Sequence, residues 1–258
     1  MMLTLISPAK KLLSNHSTYI KSTSEPGFKK ETEILVRLMK KKSAEEIAAL
    51  MKLSNDLAQL NFSRFQEFVL NDVDSPNAHP AVFLFQGDVY QGLQAATWSQ
   101  DTLDFAQSHL GILSGLYGVL KPLDKIQPYR LEMGVRLKNP CGSTLYDFWK
   151  KTITSSLNKQ LAEQANPVLV NLASTEYFKA VDPKTLEHPA VTVNFYEEKD
   201  KVLKMIGIHA KKARGAMAKF IMEHQIDSLD ELIKFKDLGY EYNKKSSSER
   251  HIDFIKVH

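Results

Sequence analysis

The segment from Leu113 to Gly134 constrains the fold of this chain more than any other. An apolar run is interrupted here by three glycines and two prolines and carries many polar side chains, among them Tyr117, Lys121, Asp124, Gln127, Tyr129, Arg130 and Glu132. A core element does not need that many polar groups, and an ordinary loop does not need that many special backbone positions. Rigid, charged loops on a scaffold are frequent sites of binding and catalysis. The segment therefore indicates a functional site, with an irregular connector that carries surface charges as the alternative.

Along the whole chain, helices and strands follow one another without a regular alternation. Periodicity predicts strands at residues 2–6, 82–85, 112–120, 168–170, 191–195, 202–208, 239–242 and 252–257. Periodicity and capping signals predict helices at 28–42, 43–51, 55–69, 99–110, 145–165 and 210–224, and short helices that start near 174 and 228. Residues 14–27 are predicted to form a loop. Because this order lacks a βαβ rhythm, we expect the α+β class, with a mixed sheet and surrounding helices. No repeat or boundary is visible, so residues 1–258 are expected to form a single domain.

Composition is typical of a soluble globular protein, with 43% hydrophobic and 25% charged residues. No apolar run reaches the roughly 18 residues of a transmembrane helix, and the first six residues are too short for a signal peptide. The one cysteine, Cys141, excludes an internal disulfide and a thiolate metal cage. The eight histidines are scattered, so no metal site and no cofactor are expected. We expect a cytoplasmic protein with no membrane partner and no obligate protein partner.

The net charge of +4 is unevenly distributed. Residues 1–66 carry 11 Lys/Arg against 6 Asp/Glu, residues 67–120 carry none against 6, and residues 121–258 carry 23 against 18. Residues 201–219 hold six basic side chains and no acidic one. This distribution suits a basic face with an acidic back, as in proteins that bind anions or nucleic acids. Scattered solubilising lysines are the alternative.

The string Ser7-Pro-Ala-Lys10 follows the first predicted strand and has the Ser-x-x-Lys spacing of acyl-serine enzymes. The companion motifs of those enzymes, S-D-N and K-T-G, are absent. A more suitable use is an anion nest, in which Ser7 and nearby backbone N–H groups bind a phosphate while Lys10 and Lys11 supply positive charge. A plain strand exit with exposed lysines is the alternative.

The predicted helix at 210–224 is amphipathic. Its basic residues Lys211, Lys212, Arg214 and Lys219 are expected on one face, opposite an apolar arc. The step Gly215-Ala216 leaves little side-chain bulk, so a phosphate backbone would be able to approach that face closely. An ordinary helix with a solvated basic face is the alternative.

Residues 43–68 are expected to form two helices joined by a tight turn. The string from Leu50 to Ala58 resembles a helix-hairpin-helix, in which the hairpin N–H groups and the second helix N-terminus grip one phosphate. In this interpretation Lys52, Ser54 and Asn55 contact the phosphate, although the usual motif has glycines where this chain has Lys52 and Ser54. A plain αα-hairpin is the alternative.

Three carboxylates stand at or near the ends of predicted strands or within the 113–134 segment. Asp88, Glu132 and Glu176 are candidates for acid–base chemistry if the fold brings them together. A lone carboxylate is more often a helix cap or an ion-pair partner, and the spacing does not show that they meet. The sequence has no P-loop, no G-x-G-x-x-G, no H-E-x-x-H and no paired C-x-x-C.

Six strings, in order along the chain, resemble the bacterial YaaA family of peroxide-stress proteins. They lie at residues 5–10, 87–93, 113–120, 127–134, 171–179 and 210–215, and the similarity runs from residue 2 to about residue 255. The resemblance implies a cytoplasmic, single-domain α+β protein with a fold particular to the family. It also implies binding of double-stranded DNA through a positively charged cleft and a helix-hairpin-helix, with a link to peroxide stress, limitation of free iron and recombinational repair.

Carried onto this chain, the resemblance puts the hairpin at residues 50–58. The matching basic residues are Lys10, Arg130, Lys211, Lys212 and Arg214. The family brings no established reaction, so no catalytic role is assigned to its polar motifs.

The leading hypothesis is therefore a DNA-binding protein of the peroxide response that binds duplex or branched DNA and protects it from iron-dependent oxidative damage. The second is an enzyme that acts on a nucleotide or a nucleic-acid base through the polar cluster around residues 88, 130, 132 and 176. Direct binding of iron or heme is a third hypothesis, which the scattered histidines and the lone cysteine do not support.

Overall fold

The computed structural model describes residues 2–13, 22–69, 75 and 77–257. Part of the predicted loop, residues 14–21, lies outside them. The first half of the described chain forms Leu3–Ile6 (β1), Lys11–Leu12 (β2), Lys29–Lys40 (α1), Ala44–Met51 (α2), Asn55–Glu67 (α3), His79–Pro80 (β3), Ala81–Leu84 (α4), Phe85–Gln86 (β4), Asp88–Leu93 (α5), a 3₁₀ turn at Ala95–Thr97, Gln100–His109 (α6), Leu110–Ser114 (β5), Gly118–Leu120 (β6) and Lys125–Ile126 (β7). The second half forms Leu145–Ala162 (α7), Leu169–Asn171 (β8), Thr175–Phe178 (α8), Ala190–Lys199 (β9), Val202–Lys204 (β10), Gly207–Glu223 (α9), Leu229–Leu232 (α10), Glu241–Tyr242 (β11) and His251–Val257 (β12).

One mixed sheet organises these elements, in the order β11-β12-β9-β8-β1-β5-β6, with β10 paired to β9. The five central strands from β12 to β5 are parallel, and the strands at the edges pair antiparallel. The α+β prediction of a mixed sheet with surrounding helices is confirmed. Strand β1 lies in the middle, where all four of its residues are buried, as expected for a continuous apolar strand in a parallel sheet.

Local capping signals fix several helix starts. The Ser43 hydroxyl accepts from the Glu46 N–H while the Glu46 carboxylate accepts from the Ser43 N–H, which is the predicted capping box of α2. Thr144 and Asp147 form a second capping box at the start of α7. The predicted cap of the short helix α10 is present in the bond from the Glu231 N–H to the Ser228 hydroxyl.

Three predicted strands differ from the structure. Residues 81–84 form the short helix α4 rather than a strand, because a buried apolar run of four residues fits either structure and only the packing decides. The predicted strand 112–120 is a hairpin of β5 and β6, whose turn ends at Gly118 with φ +76°. Strand β10 ends at Lys204, and residues 207–208 begin helix α9 instead.

Candidate functional site

The carboxyl ends of β1 and β8 meet at the point where the strand order of the sheet reverses. From β1 the order runs to β5 on one side, and from β8 it runs to β9 and β12 on the other. The Ser174 N–H donates to Ser7 Oγ at 2.8 Å, and the Ser7 hydroxyl donates to Ser174 Oγ at 3.3 Å. Crevices at such switch points are the usual binding sites of open parallel sheets. The Ser7 hydroxyl is already engaged here in holding the two strand ends together, which argues against its predicted role in an anion nest.

Three buried tyrosines lie beside the carboxyl ends of the central strands. The Tyr90 hydroxyl donates to the Ser7 carbonyl at 3.2 Å, and the Tyr129 hydroxyl lies 2.6 Å from Ser114 Oγ at the end of β5. The Gln127 N–H donates to the Tyr117 hydroxyl at 3.1 Å. Burial raises the pKa of all three tyrosines, so their phenols stay protonated and act as hydrogen-bonding struts. Several polar groups of the 113–134 segment thus form buried hydrogen bonds that stabilise the structure around the strand ends.

Near these tyrosines, three charged side chains from two of the predicted motifs converge. Arg130 donates to Glu132 Oε1 from Nε at 3.1 Å and from a terminal nitrogen at 3.0 Å. Lys10 Nζ lies 3.4 Å from the same oxygen. The Glu132 side chain is 12% exposed and that of Lys10 is 66% exposed, so the carboxylate lies inside while the ammonium reaches solvent.

The second oxygen of Glu132 is an unusual feature of this cluster. Glu132 Oε2 is buried and has no hydrogen-bond partner among the residues that the structure describes, whereas buried polar atoms in folded proteins are nearly always paired. A cavity of about 550 Å³ borders the residue, and it is lined by the end of α2 and by Lys10, Lys52, Gly134, Arg136 and Glu176. We call it the hairpin cavity. A buried acceptor without a partner beside a cavity is suited to a donor that arrives with a ligand.

Glu176 lies on the same hairpin cavity, but it is held in a structural hydrogen bond. Its Oε1 accepts from the Gly134 N–H at 3.0 Å, and its backbone carbonyl accepts from the Tyr146 hydroxyl at 2.9 Å. Asp88 does not line the cavity; its carboxylate lies 3.8 Å from Lys211 Nζ. The structure therefore brings Glu132 and Glu176 together and leaves Asp88 with a basic partner elsewhere.

Helices α2 and α3 form the predicted tight hairpin. Lys52 ends α2 in the left-handed conformation, with φ 53° and ψ 52°, at a position where the usual motif has glycine. Lys52, Ser54 and Asn55 are all exposed, and Lys52 faces the hairpin cavity. The hairpin itself is present, whereas its grip on a phosphate stays a prediction.

Helix α9 differs from the prediction in two respects. A Cβ on Gly215 would lie 1.8 Å from the Val89 carbonyl oxygen, and a Cβ on Gly92 would lie 2.1 Å from that of Lys212. Gly215 therefore allows α9 to pack closely on α5. The space beside Gly215, where a phosphate backbone was predicted to approach, is occupied by helix α5.

The basic residues of α9 also separate. Lys211 and Lys212 are exposed, as predicted, but Arg214 is half-buried and lines a second cavity on the sheet. At 100° per residue Arg214 lies 160° from Lys212 and next to the apolar arc. Arg214 therefore does not share one basic face with Lys212, contrary to the prediction.

Two sets of residues in these cavities were not predicted. Arg136 lines the hairpin cavity, and no local sequence signal distinguishes it from other surface arginines. Asn194 and Asp253 line the second cavity, and the alternation of apolar and polar residues along β9 is the sequence signal for a sheet face that is not covered by apolar packing.

Within residues 2–13, 22–69, 75 and 77–257, no three His, Cys, Asp or Glu side chains are grouped to hold a metal ion. None of the helices in that part of the chain has the length and apolar character to cross a bilayer.

Similarity to known proteins extends over nearly the whole chain. A family profile described as peroxide stress protein YaaA matches residues 2–246. A UPF0246 protein of Legionella pneumophila strain Lens is 59% identical over 257 residues, a coverage of 100% for each chain. UPF0246 proteins of Bordetella petrii and Idiomarina loihiensis are 47% and 44% identical, over 96% and 99% of both chains.

Proposed function

The chain belongs to the YaaA family of peroxide stress proteins, and we propose that it serves this response by binding duplex or branched DNA and shielding it from iron-dependent oxidative damage. The observation that carries the proposal is the hairpin cavity, where the turn of a helical hairpin meets the carboxyl ends of the central strands. Three exposed cations, Lys10, Lys52 and Arg136, border this one cavity. Phosphate contacts without base readout need only such a basic surface.

A continuous series of contacts extends this basic surface toward helix α9. Lys11, next to Lys10, pairs in the β2–β4 ladder with Gln86. Two residues later Asp88 lies 3.8 Å from Lys211 Nζ, and Lys212 follows on the same exposed turn. Lys10 and Lys52 thus share the hairpin cavity, and a short series of paired residues links Lys10 to the lysines of α9.

The roles of the predicted residues are divided accordingly. We assign direct phosphate contact to Lys10, Lys52, Lys211 and Lys212, with backbone N–H groups at Ser54 and Asn55 contributing at the start of α3. Arg130 is only 16% exposed and is bound to Glu132, so it positions the Glu132–Lys10 pair rather than contacting DNA. Arg214 is left out of this surface because it faces the second cavity.

The proposal is tested by fluorescence anisotropy with duplex, single-stranded and branched DNA across a salt series. Log K should fall with log salt by about 0.9 per phosphate contact, so four lysine contacts give a slope of about −3.6. Lys52→Glu and Lys211→Glu should weaken binding to all sequences alike, while Lys236→Glu, at an exposed site on the loop after α10, should not. A flat salt dependence, or equal effects of all three reversals, contradicts the proposal.

A second candidate function is an enzyme that acts on a nucleotide or a nucleic-acid base in the hairpin cavity. Glu132 favours it, because a carboxylate held by Arg130 and Lys10 through one oxygen leaves the buried Oε2 free to accept a proton from a bound substrate. Binding of phosphate groups alone does not explain why Glu132 Oε2 is buried without a partner.

The variant Glu132→Gln separates the two functions. Since it removes a negative charge beside Lys10, DNA affinity should stay the same or rise up to about threefold. Any turnover of nucleotides, nucleosides or DNA by the wild-type protein should be lost. Turnover that survives the substitution rules out Glu132 as the base, and a fall in DNA affinity would show that the carboxylate only orders Lys10.

A further inference from the structure

A second cavity, of about 840 Å³, lies on one face of the sheet where β8, β9 and β12 are neighbours. Thr192, Asn194 and Tyr196 of β9 line it, while the alternating residues Val191, Val193 and Phe195 are buried in the core. The strand register places Asn171 and His251 beside Thr192, and Asp253 beside Asn194. We call this cavity the sheet-face pocket.

A polar face is unusual at the centre of a parallel sheet. Parallel strands are normally covered by helices on both faces and read as apolar runs. Here β9 is apolar on one face only, and the other face carries an amide, hydroxyls and a carboxylate. The Asn194 amide donates to Asp253 Oδ1 at 2.9 Å, and the Asn171 amide donates to Thr192 Oγ1 at 3.1 Å. The side chains are therefore held in fixed positions, and the face is organised for a polar ligand.

Arg214 enters this pocket from helix α9, and no carboxylate of the described residues pairs with it. Within the same part of the chain its buried Nε has no hydrogen-bond partner, and the contact of its terminal nitrogen is to Met205 Sδ at 3.7 Å. Burial lowers the pKa of this guanidinium, which indicates a cation removed from water without a compensating charge. A guanidinium is suited to two parallel hydrogen bonds with a phosphate or carboxylate.

The charge and size of the pocket narrow the choice of ligand. Three Lys/Arg side chains, Lys150, Lys179 and Arg214, line it against one carboxylate, Asp253. Lys150 is paired with Asp182 at 3.5 Å, so the positive charge that favours an anion comes from Lys179 and Arg214. A volume of about 840 Å³ lies in the range of cofactor and nucleotide sites and is far larger than one phosphate needs. The amides and the Asp253 carboxylate supply the donors and acceptors that recognise a sugar and a base.

We propose that the sheet-face pocket binds a mononucleotide, with the phosphate on Arg214 and the nucleoside along the polar face formed by Thr192, Asn194 and Asp253. This site is separate from the hairpin cavity: α8 lies between them, with Glu176 on the hairpin cavity and Phe178 on the sheet-face pocket. The inference does not depend on DNA binding, and DNA binding does not depend on it.

Isothermal titration calorimetry of the full chain with AMP, GMP, CMP and UMP tests the proposal, with inorganic phosphate and the matching nucleosides as partial ligands. At least one mononucleotide should bind with a Kd below about 1 mM, and phosphate or nucleoside alone should bind about tenfold more weakly or worse. Arg214→Gln should weaken the mononucleotide by about tenfold or more. Arg37→Gln, a matched change on the exposed face of α1, should leave the Kd unchanged.

A second variant covers the case in which Arg214→Gln does not fold. Ser248 is exposed on the rim of the pocket, so Ser248→Trp fills the entrance without disturbing the core and should abolish binding. Four results overturn the proposal: no mononucleotide binds, phosphate alone binds as tightly, Ser248→Trp binds normally, or a folded Arg214→Gln variant binds normally. Displacement of the mononucleotide by duplex DNA would assign the pocket to DNA instead.

Discussion

At the scale of single residues, the polar groups of the 113–134 segment have different tasks although they are neighbours in sequence. Glu132 lines the hairpin cavity and is bound by Arg130. Asp124, in contrast, is only 2% exposed and accepts from the Ser24 hydroxyl at 2.6 Å and the Lys121 N–H at 2.8 Å. Burial outweighs these bonds and raises the pKa of Asp124 to about 6. The segment therefore contains a structural carboxylate as well as a candidate functional one.

The raised pKa of Asp124 predicts a pH dependence of stability with a definite sign. Between pH 4 and pH 6 the folded state holds a proton that the unfolded state has released, so unfolding becomes easier as pH rises. In urea denaturation, the free energy of unfolding of the wild type minus that of Asp124→Asn should fall by up to about 3 kcal/mol from pH 4 to pH 7. The exposed change Asp227→Asn should give a constant difference, and a constant difference for Asp124→Asn would refute the assignment.

At the scale of elements, the contact between α5 and α9 predicts that a glycine-to-alanine substitution in α9 lowers stability, whereas helix propensity alone predicts that it raises stability. Alanine is normally the better helix former by about 0.5–1 kcal/mol, but a Cβ on Gly215 would lie 1.8 Å from the Val89 carbonyl oxygen. Gly215→Ala should therefore destabilise the protein by about 2 kcal/mol or more in denaturant unfolding. Gly207→Ala on the same helix has open space around the added Cβ and should be neutral or slightly stabilising. Equal effects of the two changes would contradict this packing.

At the turn between α2 and α3, one substitution separates the effect of the Lys52 backbone conformation on stability from the effect of its charge on DNA affinity. Lys52 has a left-handed conformation that costs a side-chain-bearing residue about 1 kcal/mol, so Lys52→Gly should leave stability unchanged or raise it by up to that amount. Since the substitution also removes a cation from the hairpin cavity, DNA affinity should fall and the salt slope should become shallower by about one contact. Lower stability with unchanged affinity would show that Lys52 has a structural role alone.

The elements also show what sequence patterns predict and what they do not. The capping box at Ser43 and Glu46 was predictable because all its bonds lie within four residues. The helix at 81–84 was not, because a short apolar run carries no period of its own. Gly215 was misread because its neighbour, α5, lies more than 120 positions away in sequence. The convergence of Lys10 with Arg130 and Glu132 was equally invisible, and only the resemblance to a family placed those residues in one motif set.

At the scale of the whole molecule, stability should vary systematically across the sheet. Strand β1 is buried on both faces and paired on both sides, whereas all three residues of β10 are exposed and pair with β9 alone. In native-state hydrogen exchange, amides of residues 3–6 should exchange only by global unfolding, and those of 202–204 by local opening at much lower free energy. Comparable protection of both strands would mean that β10 is covered in solution.

The bond between Ser7 and Ser174 has a consequence for the order of events during synthesis. It joins positions 167 residues apart, and β1 needs both β5 and β8 as neighbours. At a translation rate of about 5–20 residues per second, the first strand waits on the order of 10–30 s for its last partner to leave the ribosome. The nascent N-terminal half thus carries β1 with β5 as its one available partner, and Lys10 and Lys52 without the rest of the hairpin cavity. The hairpin cavity, which Gly134, Arg136 and Glu176 complete, is therefore acquired only when the second half has been made.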